Sequence, residues 1–155
     1  MEQHELLKNL DEKFRKAQKE FGFKANLDEM DKNFFVRDSI LKEGYVSESF
    51  SRQLCRIITE TLMNWNEYLH SLIMPNPQNL LNMGESKIFN QDEKREITEL
   101  MKKIMEICSR NSLIMLGGSK DEEGKYIEDS IKFWKSEFKP KITKIITKIN
   151  HEWKS

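Results

Sequence analysis

The chain has 155 residues with 26 basic and 26 acidic side chains, and its zero net charge argues against a generic polyanion binder. Hydrophobic residues make up 37% and charged residues 34%, with nine Phe and three Trp, which predicts one helical domain over 1–155 with a lean, aromatic core. No apolar run approaches the ~18 residues of a membrane span, and Met1-Glu2-Gln3-His4-Glu5 is too charged for a secretory signal, so a cytoplasmic protein is expected.

The first element is an amphipathic helix within residues 1–24. Leu7, Leu10, Phe14, Ala17 and Phe21 recur at 3-4-3-4 spacing, and Gly22 is a natural stop. Two heptads are too few to stand alone in water. This helix is therefore expected either to pack on its own bundle, with a peripheral position as one option, or to self-associate through Leu7, Leu10 and Phe14.

Asn26 with Glu29 three residues on is a capping pair. It opens a helix carrying Met30, Phe34, Val36, Ile40 and Leu41 and ending at Gly44. Ser47 is expected to begin the longest helix, running to about Met74. Its stripe is Phe50, Leu54, Ile58, Leu62, Trp65, Leu69 and Leu72, widened by Cys55 and Ile57, so Trp65 is expected to be buried. Pro75 and Pro77 end it, because proline lacks the N–H and its ring clashes with the preceding turn.

A connection marked by proline and asparagine follows over 75–90, with Leu80, Leu81 and Met83 as a short helical turn. Asn90 and Glu93 then cap a helix holding Ile97, Leu100, Met101, Ile104, Ile107 and Cys108, which Gly117-Gly118 stops. Residues 117–125 read as a polar loop. Ile127, Ile131, Trp134 and Phe138 form the next helix, Pro140 breaks or kinks it, and Ile142, Ile145, Ile146, Ile149 and Trp153 form the last. The expected fold is all-α, a single bundle of five to six helices.

Tests for chemistry are mostly negative. Glu67 and His70 have the Glu-x-x-His spacing of a di-iron helix, but neither His4 nor His151 supplies the second pair that such a site needs. Two cysteines, Cys55 and Cys108, set in apolar stripes, make neither a zinc cluster nor an activated nucleophile; both read as buried thiols. Gly118 to Lys125 imitates a phosphate loop with one residue too many, Tyr126 where a hydroxyl for magnesium belongs, and three acidic residues inside it. No catalytic residue, metal or cofactor is nominated, and an enzyme or metal-binding bundle around Glu67, His70 and the proline loop is the remotest reading.

Two surfaces remain as binding candidates. Pro75, Asn76, Pro77, Gln78 and Asn79 form a stiff, amide-rich loop able to present a recognition surface, or simply to turn the chain. Residues 131–155 carry seven basic and two acidic groups, and Lys141, Lys144 and Lys148 share one helical face. Such a face suits nucleic acid, an anionic membrane surface or an acidic partner, or is merely the solvated side of a docked helix. The expected function is a non-enzymatic module that binds another protein, in an adaptor or regulatory role. The alternative is a nucleic-acid- or ribosome-associated protein using the C-terminal lysines.

Overall fold

The helical period in the sequence becomes a chain of helices, described over residues 2–155 in a computed structural model with no strand among them. They are α1 (Gln3–Phe21), α2 (Leu27–Phe34), α3 (Val36–Glu43), α4 (Phe50–Ile73), α5 (Leu80–Ser86), α6 (Gln91–Met115), α7 (Lys120–Phe133), a π-helical turn (Trp134–Phe138) and α8 (Lys139–Lys154). Because α7, the π turn and α8 run on without interruption, the described residues form seven helical rods, not five or six. No described helix is long and apolar enough to cross a membrane. The chain divides into two compact units. One takes the sequence up to Thr61 together with Ser109–Ile131; the other takes Leu62–Cys108 and Lys132–Ser155.

In the first unit α1 buries Leu6, Leu10, Phe14 and Ala17 and stops at Gly22 in the left-handed region. The stripe starts at Leu6; the expected Leu7 is only half-buried. Phe14 meets the edges of Phe23 and Phe50 at 5.6 and 6.4 Å. Leu10 and Phe14 are thus enclosed within the unit.

The single helix expected from Asn26 to Gly44 is two. Phe34 and Val36 are both buried, and a two-residue step lies on opposite faces of one continuous helix. Phe35, left-handed at φ 55°, resets the phase between α2 and α3. Asp31 secures the corner. Its carboxylate accepts the Arg37 backbone N–H at 2.8 Å and the guanidinium at 3.1 Å, and Asp28 takes the guanidinium at 2.6 Å.

α4 begins at Phe50, three residues later than expected, because Ser47 is held outside it. The Ser47 N–H donates to Gln53 Oε1 at 2.8 Å and its hydroxyl accepts the Ser49 N–H at 3.0 Å. The 117–125 segment is not a loop throughout, since α7 starts at Lys120. Ser119 and Glu122 cap each other across the first turn, at 3.2 Å and a longer 3.5 Å. The three acidic residues that follow Lys120 sit where the helix dipole favours them.

In the second unit Leu62, Leu69 and Leu72 of α4 are buried, but Trp65 is only half-buried. Its ring lies edge-on to Phe138 at 5.7 Å and to Tyr68 at 6.4 Å, so the wide indole closes over the core's margin instead of filling its centre. Pro140 does not break the last rod. An α-helical turn would require an N–H at position 140. The chain instead widens by one residue, with Lys139 N–H bonding to Trp134 O. Trp134 and Phe138 lie against each other inside that turn at 4.6 Å, their planes tilted by 33°.

Trp153 does not extend the buried stripe. It is 55% exposed, lies over Gly84 and donates its indole N–H to Glu85 at 2.9 Å. α5 is tied to the end of α4 by Ser86, whose buried hydroxyl donates to Leu72 O at 2.8 Å, and by Tyr68, which donates to Glu85 at 2.8 Å.

Candidate functional site

A groove of about 930 Å³ lies in the second unit, between α6 and α8. The α6 side begins with a complete capping box. Asn90 Oδ1 accepts the Glu93 N–H at 2.8 Å, and Glu93 Oε1 accepts the Asn90 N–H at 3.0 Å. That start sets the phase of the helix. Ile97 and Leu100 turn inward as floor, and Glu93, Glu96 and Glu99 rise along the rim. On the other side the α8 stripe buries Ile142 and Ile149, leaving Ile145 half-buried in the groove. Lys141, Lys144 and Lys148 form the opposite rim, with Phe89 in the lining as well.

The groove therefore brings together all three lysines singled out in the sequence. They are not equivalent. Lys148 donates to Glu93 Oε2 at 2.5 Å and lies 5.4 Å from the centre of the Phe89 ring, so its charge is already engaged. That hydrogen bond, followed by the backbone bond from Asn90, holds the Glu93 carboxyl below the usual carboxylate range. On the α6 rim Arg95 pairs with Asp92 at 3.2 Å and Glu99 with Lys102 at 3.1 Å. Among the described residues Lys141, Lys144 and Glu96 have no ion-pair partner, and Lys141 and Lys144 are exposed. The groove thus has an apolar floor between rims of opposite charge.

The proline loop is arranged differently. Pro75 is half-buried, and 76–79 are exposed. Asn76 Oδ1 accepts the Gln78 N–H at 3.0 Å, and Asn79 Oδ1 caps α5 by accepting from Leu81 and Asn82. Two of the three amides are thus committed to turning the chain and starting the next helix. Glu67 and His70 both face solvent, and among the described residues no three His, Cys, Asp or Glu side chains are grouped to hold a metal ion.

Burial keeps both thiols protonated. The Cys55 thiol is pushed up to about 12, chiefly by burial and then by Glu123, and Cys108 to about 11 by burial. Glu123 itself is buried and accepts the Ser51 hydroxyl at 2.7 Å. No histidine completes that pair into a nucleophilic set among the hydrogen bonds described.

The acidic rim and the apolar floor are what the sequence reading missed. Glu93, Glu96 and Glu99 recur at three-residue intervals beside Ile97 and Leu100, a visible pattern. Its pairing with a helix some fifty residues away is a tertiary fact. Comparison with family models, with curated proteins and with solved structures finds no match for this chain, so its function rests on its own geometry.

Proposed function

We propose that this chain is a non-enzymatic helical module that acts by binding another protein, with the α6–α8 groove as its docking face. The observation that carries this reading is the groove itself: an apolar floor flanked by lysines on α8 and glutamates on α6. Helical grooves of this kind receive amphipathic segments, the floor contributing burial and the rims orientation. A nucleic-acid backbone is a poorer occupant. A duplex following Lys141 and Lys144 would also meet Glu93, Glu96 and Glu99, and Lys148 would have to give up Glu93.

A photo-crosslinking amino acid at Thr147, on the exposed rim, tests the proposal. Added to an extract of the source cells, the protein is expected to trap a discrete protein. Ile145→Asp, which puts a charge on the groove floor, should abolish trapping while leaving the helical circular dichroism intact. Trapping of nucleic acid alone, or of a protein indifferent to Ile145→Asp, would refute the reading.

A further inference from the structure

The unpaired charges along the groove specify what should fill it. We propose that the occupant is an amphipathic α-helix of a partner protein, about three turns long, presenting two carboxylates one turn apart to Lys141 and Lys144 and a cation to Glu96. This rests on the groove being the docking face.

The length follows from the rim. Lys141 to His151 is ten helical steps along α8, or about 15 Å at 1.5 Å per residue, which matches roughly ten residues of bound helix. The helical form follows from the walls. A third helix laid along two others can set its apolar ridge at i, i+3, i+4 and i+7 into the trough above Ile145, Leu100 and Phe89.

The charge pattern follows from what is already satisfied. Docking strips water from the rim, and a charge left unpaired there weakens binding. Lys148, Arg95 and Glu99 carry their own partners into the interface. Lys141 and Lys144 do not. They are near enough to Glu137 and Glu93 to help lower those carboxyls, but neither lysine forms an ion pair with them. Two cations three residues apart on one helix face ask for two anions at matching separation. Glu96, on the opposite rim and also unpaired, asks for one cation on the far flank of the ligand. The ligand is therefore acidic along one edge and basic on the other, and its orientation in the groove is set.

The probe is a displayed library of 14-residue helical peptides with Leu at i, i+3, i+4 and i+7 and with Glu, Gln and Lys mixed at the flanking positions. Selection on the full chain should enrich Glu at two positions three or four apart on one flank and Lys on the other. The best such peptide should shift the backbone amide resonances of 93–100 and 141–151. Lys144→Glu should weaken that peptide on the order of tenfold, as an attraction becomes a repulsion, and changing the facing Glu of the peptide to Lys should restore it.

Three results would overturn the proposal. Peptides bound at those amides with no flank preference, yet lost with Ile145→Asp, would discard the acidic occupant while leaving the groove as a protein-docking face. Peptides that shift no groove amide would discard the helical occupant. A 20-base-pair DNA duplex shifting the same amides where no peptide does would discard both readings.

Discussion

Gly124 should resist substitution by alanine, although it lies inside α7 where alanine is normally the better residue. In an exposed helix interior Gly→Ala stabilises by about 1 kcal/mol. Here a Cβ on Gly124 would stand 2.2 Å from Phe21 Cδ1, 2.6 Å from Cγ and 2.9 Å from Cε1. Carbon atoms in contact prefer about 3.5–4.0 Å, so the ring would have to retreat by more than about 1 Å. Phe21 is the last residue of α1, and its atoms nearest the new methyl group include the ring root, which moves only with the side chain as a whole. Overpacking of this kind costs about 1–3 kcal/mol, and the helix-propensity gain offsets part of it. The expected net loss is up to about 2 kcal/mol, a fall in Tm of up to roughly 4–8 °C for a chain of this size. Urea unfolding of wild type, Gly124→Ala, Phe21→Ala and the double variant reads it directly. With the ring gone, Gly124→Ala should become stabilising, giving a coupling energy above about 1 kcal/mol. A single Gly124→Ala variant more stable than wild type would show that Phe21 does not rest on α7 in this way.

Phe35→Gly should raise stability by about 0.5–1 kcal/mol. The left-handed backbone of Phe35 costs about 1–2 kcal/mol, its ring is 56% exposed, and glycine's added freedom in the unfolded chain takes back part of the gain; a lower Tm would mean the ring is needed for folding. Cys55 and Cys108, with thiols raised to about 12 and 11, should react with a disulfide reagent at pH 8 only after unfolding, so fast labelling of native protein would contradict their burial. Lys148→Gln should let the Glu93 carboxyl rise toward its ordinary value, read by carboxyl NMR titration. Because the folded-state pKa of Glu93 is lowered, its contribution to stability is present above the ordinary carboxylate range and is lost as pH falls through the lowered value. The gap between wild type and Lys148→Gln should therefore close in acid, and with both side chains partly exposed it should stay below about 1 kcal/mol.

What could be read from the sequence was whatever a helix decides locally. The α4 stripe from Phe50 to Leu72, the glycine stops at 22 and 44, and the caps at Asn26 and Asn90 all depend on residues within one or two turns. What could not be read depends on neighbours distant in the chain. Leu6 and Leu7 are equally apolar, and only the packing of the first unit selects Leu6. The break at Phe35 shows in the sequence as an out-of-phase pair, Phe34 and Val36, but a helix buried on two faces would produce the same pattern. The start of α7 was hidden because its capping residues, Ser119 and Glu122, stand in a run that resembles a solvated loop. The candidate site was half legible. The lysine face of α8 follows from spacing alone, whereas the engagement of Lys148 by Glu93 joins residues 55 apart.

The most direct test of the account is to add the protein trapped at Thr147 to isotope-labelled chain and record which backbone amides shift. The perturbations should concentrate at 89–100 and 141–151 and be removed by Ile145→Asp. Perturbations that leave those residues unchanged and gather instead at Met74, Leu80 and Leu81, the exposed apolar side chains flanking the proline loop, would contradict it.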